Sequence, residues 1–134
     1  MWSDPRRLRH AGPCCQPATG DLRVEKRWSD AFRDTNLEAL LRDASVTRVV
    51  LVAAQTEYCV DTTARRAVSL GYDVDLVTDG HTTSENDLLT RDQIIGHNNQ
   101  ALANLAIEDV NLTASSSARR PWVCSCASIH TDSA

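Results

Sequence analysis

A run of six apolar residues in the middle of the chain constrains its fold more than any other feature. Residues 49–54 read VVLVAA and contain no polar residue that would mark a solvent-facing side. Such continuous apolar runs are typical of parallel strands, which helices cover on both faces. Because parallel strands are joined by crossovers that usually contain a helix, the run predicts an α/β architecture.

Helices and strands are predicted to alternate on both sides of this run. Apolar and polar residues alternate over residues 22–26, which predicts a short strand. Thr35 and Glu38 have the spacing of a capping box and open a predicted helix with one apolar face. A second helix is predicted from about residue 59 to residue 70, and Gly71 follows it where a left-handed cap is favoured.

The alternation continues in the second half of the chain. Residues 74–78 predict another strand, and a second capping box, Thr90 with Gln93, predicts the start of a longer helix. Residues 107–112 are a weaker candidate for a further strand. Strands and helices in this order predict a parallel α/β sheet with right-handed crossovers.

The predicted sheet has few strands for one that contains a strand covered on both faces. Three strands barely enclose the run at 49–54, and sheets more commonly have about four to six strands. We therefore expect that part of the sheet is missing or comes from a partner chain, and that the protein is a homo-oligomer. Residues 1–20 are predicted to be a disordered arm, residues 21–112 a partial domain and residues 113–134 a disordered tail.

Composition excludes several classes of protein. A formal charge of -4 and a pI near 5.5 argue against nucleic-acid binding, which needs a clustered basic face. No apolar run approaches the ~20 residues of a membrane span, and no signal peptide is recognisable. The cysteines are odd in number and lie at positions 14, 15, 59, 124 and 126. Their number and spacing favour neither a disulfide framework nor a zinc site. A reducing cytosol is therefore the expected compartment.

One cysteine stands where chemistry is possible. Cys59 lies in the turn between the buried strand and the next helix, and ligands of open α/β sheets bind at that edge. A helix N-terminus favours the thiolate form of a cysteine, and its N–H groups can hold an oxyanion. The alternative is that Cys59 is a small buried hydrophobic residue, as free cysteines often are. Position alone leaves both interpretations open.

The surrounding segments resemble the isochorismatase-like hydrolases, in particular their cysteine hydrolase branch. The resemblance rests on three segments in order over about residues 20–106; they are VEKRWSDAFRDTNLEALL, VLVAAQTEYCVDTTARRAVSLGYDVDLVTDGHTT and LLTRDQIIGHNNQALANL. It implies a partial, doubly wound, Rossmann-type three-layer α/β/α fold that lacks the first strands. It also implies hydrolysis of an amide or related C–N bond in a small molecule, without a cofactor.

The resemblance assigns the catalytic pair. It implies that Cys59 is the nucleophile, which forms a thioester with the substrate. It implies that Lys26, at the end of the predicted first strand, is the catalytic lysine that stabilises the thiolate. Without the resemblance, Lys26 would be interpreted as a solvated lysine at a strand end.

The resemblance also assigns the turn before the nucleophile. It implies a cis peptide bond between Ala54 and Gln55, and an oxyanion hole made by the N–H groups of Gln55 and Cys59. Thr56 and Tyr58 are predicted to line the substrate pocket, although Thr56 is alternatively a helix cap. No residue is predicted to bind a metal.

One family feature is missing from the sequence. Family members carry an aspartate, in a motif like I-D-x-Q, that accepts the thiol proton, and no such strand precedes Lys26. We therefore expect an N-terminally truncated domain of doubtful activity. The alternative hypothesis is a catalytically inactive fragment or interaction subunit that associates with a full-length relative.

Overall fold

The computed structural model describes residues 19–105, 110–116 and 118. Strands and helices alternate through these residues, as the sequence predicts. A five-residue π-helical turn, here called the π turn, replaces the expected first turn of the second helix. The elements in order are α1 (Leu37–Asp43), β1 (Arg48–Ala54), the π turn (Thr56–Val60), α2 (Asp61–Ser69), β2 (Asp73–Thr82), α3 (Arg91–Ala103) and β3 (Leu112–Ser115).

The strands form one parallel sheet in the order β1-β2-β3. Val49 pairs with Val74, and Val74 pairs with Leu112 on its other side. The crossover from β1 to β2 contains α2, and the crossover from β2 to β3 contains α3. This confirms the predicted parallel α/β fold, with β2 in the middle of the described sheet and the run at 49–54 in β1 at its edge.

Alternate residues of the strands pack against helices to form the core. Val49 and Leu51 of β1 lie in one buried cluster with Ala64 and Ala67 of α2, and both alanines are fully buried. Small side chains at these positions let the helix approach the sheet closely. The cluster also holds Phe32, Leu37, Leu41, Val46, Val60, Val68, Tyr72, Val74, Leu76, Leu102 and Leu112.

Two local signals are confirmed. Thr90 and Gln93 form a reciprocal capping box at the start of α3, with the threonine hydroxyl accepting from Gln93 N and the glutamine side chain accepting from Thr90 N. Gly71 follows α2 with φ of 91°, the left-handed conformation that glycine adopts without steric cost. Both signals act through neighbouring residues only, which is why sequence alone reveals them.

Two other local predictions are wrong. Residues 21–26 form no regular strand. Thr35 and Glu38 do not form a capping box: Asn36 precedes α1, the Thr35 hydroxyl donates to Ala31 O, and Glu38 pairs with Arg42. At α1, other partners therefore take the side chains that the pattern assigned to a capping box.

Boundaries differ from the predicted ones at two further places. Helix α2 begins at Asp61 rather than near residue 59, because the π turn occupies the preceding residues. Strand β3 spans Leu112–Ser115, so it starts where the predicted strand ends and continues into the predicted tail. Residues 1–18 and most of the tail lie outside the described residues. Among the helices of the described ranges, none is long and apolar enough to cross a membrane.

Strand β2 contains a large bulge near its carboxyl end. Leu51 pairs with Leu76, but Ala53 pairs with His81, so two steps along β1 face five steps along β2. Gly80 lies in this bulge, and a Cβ there would stand 2.7 Å from Cγ1 of Val52. The bulge brings His81 back to the sheet edge at which β1 ends.

The carboxylate of Asp73, at the start of β2, bonds to residues at the start of β1 and just before β3. Asp73 accepts a hydrogen bond from Asn111 N at 2.9 Å and pairs with Arg48 at 3.2 Å. The backbone N–H of Asn111 is the main cause that holds the pKa of Asp73 below its usual value, and Arg48 adds to it. The carboxylate therefore stabilises the folded chain only while it is charged.

We expect Asp73→Asn to lower the free energy of unfolding by about 1 kcal/mol at neutral pH. Because the folded pKa is depressed, this contribution is present above about pH 4 and is lost as pH falls further. Urea unfolding at several pH values measures the difference, with Asp87→Asn in an exposed loop as the matched control. A difference that stays constant below pH 4 would contradict the assignment.

Candidate active site

Cys59 lies in the π turn between the carboxyl end of β1 and the start of α2. The backbone N–H groups of Tyr58 and Val60 both donate to Gln55 O, each at 3.2 Å. This pair of hydrogen bonds closes the turn around a single carbonyl. The Cys59 side chain is half-buried, so its sulfur is held in a defined turn and remains open to solvent.

Lys26 contacts the cysteine from a distant part of the sequence. Its Nζ donates to Cys59 Sγ at 3.3 Å and to Trp28 O at 3.0 Å, although Lys26 and Cys59 are 33 residues apart. An ammonium group at this distance stabilises negative charge on sulfur. The structure therefore brings together the two residues that the resemblance pairs, and it does so at an exposed lysine.

The segment after Lys26 is folded on itself by its side chains. Trp28 Nε1 donates to Asp34 Oδ2 at 2.9 Å, and the guanidinium of Arg33 lies 3.9 Å from the centre of the indole ring. Trp28 remains 44% exposed. Its carbonyl is thereby kept in place to accept from the Lys26 ammonium.

The residues assigned to the turn take distinct positions. The peptide bond between Ala54 and Gln55 is cis, and Gln55 is half-buried at the start of the π turn. Tyr58 is 45% exposed and directly precedes Cys59. The proposed oxyanion hole at Gln55 N and Cys59 N stays a prediction.

Thr56 points into the protein rather than toward an open pocket. It is fully buried, and its hydroxyl lies 2.9 Å from His81 Nδ1. The other ring nitrogen lies 2.8 Å from Asn99 Oδ1, and Asn99 Nδ2 donates to Thr78 O. Because Asn99 Oδ1 can only accept, His81 Nε2 carries a proton, and in the neutral ring Nδ1 accepts from Thr56. This chain of hydrogen bonds fixes the π turn to β2 and α3.

Within the described ranges, no group of three or more histidine, cysteine, aspartate or glutamate side chains could hold a metal ion. Glu57, the carboxylate in the turn, instead accepts a hydrogen bond from Thr83 at 2.6 Å. It therefore links the π turn to the end of β2.

Comparison with known proteins decides the family. The sequence matches the isochorismatase domain over residues 6–106, most of the chain. The chain belongs to the isochorismatase family. A solved isochorismatase family protein has a TM-score of 0.68 to this family member, with 35% identity; the match covers 75% of this chain and 58% of that protein.

Curated relatives match about half of this isochorismatase-family chain. A streptothricin hydrolase of Streptomyces noursei is 41% identical over 68 residues, which are 51% of this chain and 25% of the hydrolase. The secreted isochorismatase effector Isc1 of Verticillium dahliae is 36% identical over 63 residues, 47% of this chain and 33% of the effector. The chain thus spans about a quarter to a third of the length of these relatives.

Sequence reasoning missed two structural supports of the site in this family member. His81 is itself buried and forms a hydrogen bond with the buried Thr56 at the start of the π turn. Thr63 was not singled out, yet its hydroxyl contacts the segment that follows Lys26. Neither role has a local signal, because each partner is more than 20 residues away in the sequence.

Proposed function

We propose that this isochorismatase-family chain is a cysteine hydrolase that cleaves an amide or related C–N bond of a small molecule. The contact of Lys26 Nζ with Cys59 Sγ at 3.3 Å carries the proposal. A buried structural cysteine needs no cation beside its sulfur, whereas a nucleophilic thiolate is stabilised by one.

The proposed reaction proceeds through a thioester. The thiol proton leaves to solvent, and the Lys26 ammonium stabilises the resulting thiolate. The Cys59 sulfur then attacks the substrate carbonyl carbon, and the N–H groups of Gln55 and Cys59 are the proposed donors to the oxyanion. The C–N bond breaks, the amine departs with a proton from solvent, and water hydrolyses the thioester to release the acid and the thiol.

The similarity to a streptothricin hydrolase supports hydrolysis of a small molecule. Tyr58 directly precedes Cys59 and is 45% exposed. We therefore propose that aromatic surface borders the substrate, with Tyr58 as a pocket residue.

Acylation of the cysteine tests the proposal directly. The chain is incubated with p-nitrophenyl acetate, digested with trypsin and examined by mass spectrometry. Cleavage after Arg48 and Arg65 releases residues 49–65, which contain Cys59 and no other cysteine. We expect acetyl thioester to accumulate on this peptide several times faster than on the other cysteine peptides.

The chain provides its own controls for this experiment. Residues 10–23 contain Cys14 and Cys15, and residues 120–134 contain Cys124 and Cys126. Cys59→Ser should abolish the burst of p-nitrophenol without changing acylation of these two peptides. Equal acylation of all three peptides would sink the proposal of an activated thiol.

The sheet supports a second candidate function, association with another chain. Within the described residues, β1 pairs with β2 on one side only, although its Val49 and Val50 are buried. An uncovered strand edge favours pairing with another strand. Light scattering after size-exclusion chromatography, combined with the acylation result, distinguishes the two candidates. A monomer with an activated Cys59 supports the enzyme. An oligomer with an unreactive Cys59 supports the interaction subunit.

A further inference from the structure

Thr63 makes two hydrogen bonds to the segment that follows Lys26. It lies on α2, about one helical turn after Cys59, and is only 6% exposed. Its hydroxyl donates to Ser29 O at 3.1 Å and accepts from Ala31 N at 3.2 Å. One buried side chain thus satisfies both a carbonyl and an N–H of the same short segment.

The neighbouring contacts hold this segment in one conformation. Asp30, between the two bonded residues, accepts from Phe32 N at 2.8 Å and lies 4.0 Å from Arg66 of α2. Phe32 is buried in the core. The segment is therefore attached to the helix that the π turn leads into, the same end of the molecule that carries Cys59.

Lys26 depends on this attachment more than a strand residue would. Residues 21–26 form no strand, so no ladder of backbone hydrogen bonds fixes the position of Lys26. Its ammonium is instead held between Trp28 O and Cys59 Sγ. The Trp28 carbonyl directly precedes Ser29, so the position of that acceptor follows from the bonds to Thr63.

We propose that Thr63 is a positioning residue that places the Lys26 ammonium against the Cys59 sulfur. The inference rests on the proposed function, since it concerns the same lysine–cysteine pair. Thr63 contacts neither the sulfur nor the ammonium and acts only through the backbone of the segment it binds. Its loss is therefore expected to matter only while Lys26 is present.

The test is a double-mutant cycle on the alkylation rate of Cys59. Thr63→Val keeps the shape of the side chain and removes both hydrogen bonds. We expect iodoacetamide to modify peptide 49–65 of this variant about three to ten times more slowly at neutral pH. In a Lys26→Met background, Thr63→Val should cause no further loss. Thr63→Ser, which keeps the hydroxyl, should restore the rate.

A matched control and a second variant keep the result interpretable. Thr62→Val makes the same chemical change one residue earlier and should leave the rate unchanged. If Thr63→Val does not fold, Thr63→Ala is tested in the same way, because it leaves space for water beside the two backbone groups. Circular dichroism confirms that each measured variant is folded.

The outcomes separate this inference from the proposed function. Suppose that Lys26→Met slows alkylation. If Thr63→Val then has no effect, or if Thr63→Val slows alkylation equally in the wild-type and Lys26→Met backgrounds, Thr63 is not a positioning residue and the proposed function stands. If Lys26→Met itself leaves the rate unchanged, the lysine–cysteine pair is not functional and both proposals are overturned.

Discussion

Replacing Lys26 with methionine is expected to slow alkylation of Cys59 at neutral pH by about tenfold or more. The ammonium lies 3.3 Å from the sulfur, where a positive charge favours the thiolate over the thiol. Lys26 is exposed, so water and salt weaken the interaction, and the expected effect is well below that of a buried ion pair. Methionine keeps the length of the side chain and removes its charge.

Alkylation by iodoacetamide, followed on peptide 49–65, measures the change. Arg27→Met is the matched control, because it removes one exposed positive charge from the adjacent residue without touching the sulfur. Equal slowing by the two substitutions would show a general effect of net charge rather than a contact between Lys26 and Cys59.

Replacing Gly80 with alanine is expected to lower the free energy of unfolding by about 2–3 kcal/mol. The added Cβ would stand 2.7 Å from Cγ1 of Val52 and 2.9 Å from both Cβ and Cγ1 of Val77. Those atoms belong to β-branched side chains of paired strands, so relief requires the backbone to move. The same movement would displace His81 and weaken its bond to Thr56 at the base of the π turn.

Urea unfolding of the variants measures this loss. Gly96→Ala is the control, because a Cβ at Gly96 meets nothing within 4 Å. Gly96 lies inside α3, where alanine should raise the free energy of unfolding by about 0.5–1 kcal/mol. The two glycine-to-alanine changes are thus expected to have opposite signs. A Gly80→Ala variant as stable as wild type would mean that the bulge does not bring β1 and β2 as close as the structure shows.

Predictions based on local patterns succeeded where the partners are neighbours in sequence. The capping box of Thr90 and Gln93 and the left-handed Gly71 need no distant residue, and both are present. The predicted strand at residues 22–26 and the predicted capping box of Thr35 with Glu38 are not formed. Alternation makes a strand only where a neighbouring strand is available to pair with it, and the Thr35 hydroxyl donates to Ala31 O instead.

The pairing of Lys26 with Cys59 was predicted through resemblance rather than from pattern. Neither periodicity nor spacing connects Lys26 with Cys59, because 33 residues and two secondary-structure elements separate them. The structure shows the contact between Lys26 and Cys59, and it also shows hydrogen bonds around the site that the resemblance does not imply. Thr63 and His81 hold the two sides of the site, each through a bond to a sequence-distant partner.

The sequence by itself determined that residues 49–54 form a strand and that a turn follows it. Burial of apolar side chains is favourable, and Val49, Val50 and Leu51 of this run are buried, whereas the run is exposed at Ala54, just before the turn that carries Cys59. The tertiary structure decided which groups meet at that turn. Thr56, equally a pocket residue or a helix cap by sequence, is buried against His81, while Cys59 faces Lys26. The tendency of an apolar side chain to be buried can be read from that residue alone. A hydrogen bond requires two groups, and only the folded chain brings groups so distant in sequence within 3.5 Å of each other.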